Sequence, residues 1–335
     1  MKATSVGRKI NLKKLCAVTS LLFLISHQLL IPTHNAEKYI IGQHGWGFFS
    51  CFLGTLNQLF SCEIHNKTPV VYWDKTSLYY EENGFNGCKN VWEYYFEPVS
   101  SLSFVHGDCV HNVYPIKDID FSQTYTHTSS INVNYRGINK NYPYQLIISV
   151  NPTSLHRMQA HRLISSYIKI KPCVQKKIDH FYQQYMNGKK TIGIHLRGTD
   201  KHIEAIPICP EKMIEIALGF ADEATQFLIA TDEQSLLFKA ISLLRGRKVI
   251  YYDCYRSPNN SPLHGLGKIK NAPQNLALSN DDTILTPCLA QLGEDVLVEA
   301  SLLAKCNLFI HTLSNVSTAV CYLNSTLKNV LITMS

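Results

Sequence analysis

From Lys190 onward the chain alternates short apolar, β-branched runs with longer runs of helical periodicity. This alternation constrains the fold more than any other feature. Thr191–Leu196, Gln226–Ala230, Lys248–Tyr252, Leu308–His311 and Asn329–Ile332 each have the length of a single buried strand. Between them, Pro210–Ala221, Gln234–Arg245, Thr283–Lys305 and a short stretch from Asn315 read as helices. Pro210 suits a first turn and Pro287 interrupts the third helix. A long polar loop, Asp253–Asn280, carries Pro258, Pro262 and Pro273. Strands alternating with helices predict a doubly wound domain.

The first half is less regular. Tyr39-Ile40-Ile41 reads as a strand and leads through Gly42, Gly45 and Gly47 into an apolar helix, Phe48 to Ile64. Pro69–Trp73 then reads as a second strand. Glycines before a helix N-terminus allow backbone to approach an anion, and they also fit an ordinary βα turn. The run Val91–Pro98 holds four aromatics and two carboxylates, a composition that suits either a sugar acceptor or a core-filling helix. Ser154–Ile164 and Pro172–Tyr185 read as helices, and Asn187-Gly188-Lys189-Lys190 breaks the pattern. The expected division is therefore a targeting segment over 1–37, an N-terminal α/β domain over 38–187 and a C-terminal domain over 188–335.

Lys2, Arg8, Lys9, Lys13 and Lys14 precede an uncharged stretch, Leu15 to Ile31. This reads as a single-pass signal anchor with its N-terminus cytoplasmic. The segment does not distinguish a secretory-pathway lumen from a bacterial envelope. The formal charge of +7 over 335 residues fits an anionic substrate or a membrane surface, and no basic run is dense enough for nucleic acid. Eleven cysteines without a Cys-x-x-Cys pair give no zinc pattern. Asp118-Ile119-Asp120 lacks a strand-turn context, so no metal is expected.

After Leu196 the chain changes character. His195, Arg197, Thr199, Asp200 and Lys201 crowd ionisable and polar groups around Gly198 at the carboxyl end of a predicted strand. Ligands of open α/β sheets bind at such ends. Arg suits a diphosphate because its planar fork can pair two oxygens.

The order His195-x-Arg197-Gly198-Thr199-Asp200-Lys201 resembles the first motif of the fucosyltransferase superfamily. That group holds the α1,6-fucosyltransferases, the nodulation-factor fucosyltransferases and, more distantly, the protein O-fucosyltransferases. The run through Thr231-Asp232-Glu233-Gln234-Ser235 is similar to its second motif. Val296 to Glu299, with His311-Thr312-Leu313-Ser314-Asn315, is similar to its third. The resemblance implies an inverting GT-B glycosyltransferase, two Rossmann-like doubly wound domains facing a cleft. It implies metal-independent transfer of L-fucose from GDP-fucose to a glycan hydroxyl. It assigns the diphosphate to Arg197 and the guanine to His195 and Glu299. Lys201, Asp232, Thr312, Ser314 and Asn315 complete the nucleotide-sugar site. The catalytic set is Arg197 with Glu204 as base and Asp200 as the second candidate.

Two departures stand out. The α1,6 enzymes carry a second Arg where this chain has Gly198, and their candidate base lies one residue further from the motif Asp than Glu204 does. Two other functions remain open: transfer from another nucleotide sugar, and glycan binding without catalysis on the same fold.

Overall fold

The structure is a computed structural model that describes residues 38–43, 46–64, 66–103, 152–198, 209–258, 263 and 288–333. The chain opens with β1 (Lys38–Ile41), α1 (Phe48–Ile64) and β2 (Thr68–Val71). β1 and β2 pair in parallel, with Ile41 opposite Val71. Phe48, Phe52, Leu53, Leu56 and Leu59 of α1 are all buried, so the helix is held by packing on several sides. Each such side chain contributes about 1.5–3 kcal/mol when fully removed from water.

The aromatic run forms a short 3₁₀ turn at Trp92–Tyr94. Trp92, Tyr94, Tyr95 and Phe96 are each at most 1% exposed, and the Trp92 and Phe96 rings lie 4.3 Å apart. Phe48 meets Tyr95 edge-on at 5.0 Å. These rings fill the core, which rules out their use as an acceptor platform. The same stretch carries Glu93, whose carboxylate accepts hydrogen bonds from Asn90 and Ser103. Two helices follow, α2 (Ser154–Tyr167) and α3 (Pro172–Phe181). Thr153 caps α2 by accepting from the His156 amide, and Pro172 opens α3. A π turn, Tyr182–Met186, leads into the exposed turn at Asn187 and Gly188.

The second sheet contains β3 (Thr191–Leu196), β4 (Gln226–Thr231), β5 (Val249–Ile250), β6 (Leu308–His311) and β7 (Asn329–Leu331). Their order is β5-β4-β3-β6-β7 and every pairing is parallel. The helices are α4 (Pro210–Gly219), α5 (Gln234–Leu243), α6 (Leu289–Leu303) and α7 (Asn315–Leu323). β3 shows how two faces are read from alternation. Ile192, Ile194 and Leu196 join Phe227 and Ile229 in a core with Met213, Ile214 and Leu237 of α4 and α5. Gly193 faces the other way, against α6. A Cβ there would lie 2.8 Å from both Cys306 Sγ and Leu303 Cδ2, so only glycine admits the helix this closely.

The larger core crosses residue 188. It runs from α1 and the Trp92 turn through α2 and α3 into α6, α7 and the Leu228, Ala230 and Phe309 face of the second sheet. Tyr95 Oη donates to the Ala290 carbonyl at 3.0 Å, and a Cβ on Gly293 would fall 2.4 Å from that hydroxyl.

β5 is shorter than the expected Lys248–Tyr252, because the chain leaves the sheet at Tyr251, which is 42% exposed. The segment 15–31 and Asp118-Ile119-Asp120 lie outside the described residues. Among the described residues no helix is long and apolar enough to cross a membrane.

Candidate nucleotide site

The strand order reverses at β3, with β4 and β5 on one side and β6 and β7 on the other. Crevices form at such switch points, outside the carboxyl ends of the strands. Here the parallel register aligns those ends: His195 lies opposite Ala230 on β4 and opposite His311 on β6. A cleft of about 240 Å³ sits above them. Its floor is His195, Arg197, Thr231 and Asp232; α6 contributes Asp295 and Glu299, and the start of α7 contributes Asn315 and Val316. The opposite wall is Trp46, Gly47 and the first turn of α1, backed by Tyr79.

Two helices therefore open toward the cleft, and both N-terminal turns carry caps. Tyr79 Oη accepts the Phe48 amide at 2.9 Å, and Ser314 Oγ accepts the Ser317 amide at 3.0 Å. The Ser314 hydroxyl is thus taken by its own helix. Neither Ser314 nor Thr312 is among the residues that line the cleft; the Thr312 carbonyl accepts the Ser317 hydroxyl at 2.6 Å. Asn315 and Val316 are the residues of this turn that line the cavity, and Asn315 is the polar one.

Burial drives the electrostatics. His195 is 7% exposed, and burial, then Arg197 and His311, pull its imidazole down to about 3. It is neutral at physiological pH, and its Nδ1 has no hydrogen-bond partner among the described residues. Arg197 also lies close enough to Tyr79 to oppose the upward shift that burial gives that phenol. Asp232 accepts the Gly198 amide at 3.0 Å, which fixes the chain direction just past Arg197.

Gly198 is explained by its neighbours. A Cβ there would lie 2.2 Å from Glu233 Oε2 and 2.8 Å from Leu236 Cδ1. Glu233 is itself 7% exposed and accepts the Ser235 hydroxyl. A second arginine has no room at position 198 in this packing.

Glu299 stands on α6 and lines the cleft, but it is paired. Arg256 Nη2 donates to its Oε1 at 2.8 Å, and the Cys254 thiol approaches the same oxygen at 3.6 Å. Burial raises the Glu299 carboxyl to about 7, against the lowering by Arg256; the charges of Asp295 and Asp232 raise it further. Burial also lifts Asp295 to about 6 and holds the Cys254 thiol well above its ordinary range. Sequence reasoning missed Arg256, which it left in a polar loop. Its one signal was position, a cation just beyond the third strand of a doubly wound sheet. Thr199, Asp200, Lys201 and Glu204 lie outside the described residues. No group of three or more His, Cys, Asp or Glu suited to a metal occurs among the described residues.

No family model and no curated protein matches the sequence. Solved structures do match in fold. A NodZ α-1,6-fucosyltransferase co-crystallized with GDP aligns with TM-score 0.50 at 16% identity, over 85% of this chain and 92% of that one. The FUT1 of Arabidopsis thaliana, solved as a variant in complex with GDP, aligns with TM-score 0.46 at 10% identity, over 93% and 74%. The apo form of POFUT1 aligns with TM-score 0.46 at 9% identity, over 90% and 99%. The described residues thus form an α/β architecture with parallel sheets and a fucosyltransferase-like fold.

Proposed function

We propose that the chain is a glycosyltransferase that moves L-fucose from GDP-fucose to a glycan hydroxyl with inversion and without a metal. The observation that carries this reading is the pairing of His195 and Arg197 at the β3 end with the opening turn of α7, in a crevice at the strand-order reversal. The likeness in fold to an enzyme crystallized with GDP supports the same reading.

In this reading residues 188–335 hold the nucleotide sugar and residues 38–187 face the acceptor. Arg197 pairs the β-phosphate and stabilises the diphosphate as it leaves. Lys201 and the start of α7 add positive potential, in place of a metal. Neutral His195 and the carboxylate of Glu299 face the base, and Asp232 orients the Arg197 turn. Glu204, or Asp200 in its place, removes the acceptor proton as the hydroxyl oxygen attacks the anomeric carbon. The segment 15–31 anchors the chain in a membrane with the N-terminus cytoplasmic.

A panel of nucleotides tests the reading first. GDP and GDP-fucose should raise the thermal midpoint, and UDP, CDP and ADP should raise it much less. GDP release from GDP-fucose should accelerate with a glycan acceptor and persist in a chelator. A protein whose midpoint ignores GDP is not a GDP-sugar enzyme, and dependence on added Mn²⁺ or Mg²⁺ would remove the metal-free mechanism.

A further inference from the structure

We propose that Arg256 is a positioning residue that holds the Glu299 carboxyl in place in the cleft, and so sets the choice of nucleobase. The proposal rests on the reading of Glu299 as a base-facing carboxylate. Arg256 is 7% exposed, on the segment that follows β5. Its guanidinium is fixed by four contacts. Nη1 donates to the Cys254 carbonyl at 3.1 Å, Nη2 donates to the Tyr252 carbonyl at 2.9 Å and to Glu299 Oε1 at 2.8 Å, and the group lies 5.7 Å from the Tyr251 ring centre. Two carbonyls of its own segment brace the guanidinium in the orientation that meets Glu299. Both bonds to the carboxylate, from Arg256 and Cys254, fall on Oε1. The carboxylate keeps acceptor capacity on Oε2 within a cleft-lining side chain.

Charge is the harder problem at this position. Cys254, Tyr252 and Arg256 face Glu299 from the segment after β5, Asp295 from its own helix and Asp232 from the end of β4. His195 and Arg197 line the same cleft. Burial and the two neighbouring aspartates favour the protonated acid, and Arg256 is the principal opposing group. The distinction has a chemical consequence. An ionised Oε2 is an acceptor only, and can receive the N1–H and amine donors that guanine presents side by side. Protonated, Oε2 becomes a donor, which suits the N1 acceptor of adenine instead. Arg256 touches no base and acts through Glu299.

The test measures GDP and ADP affinity calorimetrically from about pH 6 to about pH 9, a window chosen around the raised carboxyl, for the unmodified chain, Arg256→Met, Arg256→Lys and Glu299→Gln. In the unmodified chain GDP affinity should fall as pH drops through the neutral range. Arg256→Met should weaken GDP by about tenfold or more, the scale of a lost bond to a charged group. It should also narrow the GDP over ADP preference and move the pH midpoint of GDP binding upward. Arg256→Lys should recover part of both, and Glu299→Gln should remove the part of the pH dependence that Arg256→Met shifts, leaving only what Asp295 and the terminal phosphate contribute near pH 6. Parental GDP affinity and pH midpoint in Arg256→Met would overturn the role of Arg256 while leaving the nucleotide reading intact. No GDP binding by the unmodified chain at any pH overturns the nucleotide reading itself. Should Arg256→Met fail to fold, the unmodified chain decides: GDP affinity constant across the range sinks the proposal.

Discussion

At the scale of single residues, Arg197 and Gly198 make separate demands on one turn. Arg197→Lys keeps the charge but loses the fork, so GDP binding should largely survive while sugar transfer falls by roughly 10²-fold or more, the scale of one lost donor to a developing oxyanion. Arg197→Ala should lose more and weaken GDP-sugar binding as well. Parental turnover in the Lys variant would remove Arg197 from the diphosphate. Gly198→Ala tests packing instead. Its methyl would press on Glu233 and Leu236, at a cost of about 1–3 kcal/mol in denaturant unfolding. Glu233→Ala in the same chain removes only the carboxylate contact and should recover part of that loss; no recovery would place the strain at the Glu233 Cβ and Leu236, which that change leaves in place.

At the scale of elements, the close approach of α6 to the Trp92 turn is the contact most open to test. Alanine is a better helix former than glycine by about 1 kcal/mol, so an exposed Gly293→Ala would stabilise. Here the added Cβ would meet the Tyr95 hydroxyl at 2.4 Å, and a net loss of stability is expected. A raised midpoint would show that Tyr95 yields freely. The elements legible in the sequence are those with a clear period. α1, β3 and β6 fall at the residues that alternation and length assign, and β1, β4, α4, α5 and α7 differ only at their ends. The Trp92 run was ambiguous for a physical reason: aromatic rings serve a core and a sugar site equally, and only their burial distinguishes the two. Of the site, His195, Arg197, Asp232, Glu299 and Asn315 were legible from their place after strands or on a neighbouring helix, and all line the cleft. Ser314 was legible as a helix start but not as a hydroxyl already taken by Ser317. Arg256 was not, because its partner lies 43 residues away and no local pattern links them.

For the whole molecule, buried titrating groups act in opposite directions. His195 holds its proton less tightly than in the unfolded chain. Stability should therefore rise with pH from about 3 to about 6.5 and be lost as acid returns. Glu299 and Asp295 hold theirs more tightly, so their contribution is present in acid and lost as pH climbs through about 6 to about 7. His195→Gln should flatten the acid limb of a midpoint-against-pH curve, and Glu299→Gln the neutral one. An unchanged acid limb in His195→Gln would mean that the imidazole is solvated. The larger apolar core has a different consequence, for where the chain can be cut. Gly188 is exposed with φ of +69°, an accessible site for a protease, and it marks the division read from the sequence. Yet α2 and α3, which precede it, share one core with α6 and α7, which follow it. A chain nicked there should remain joined through native gel filtration, melt in one step with its two pieces together, and fail to yield either piece folded alone.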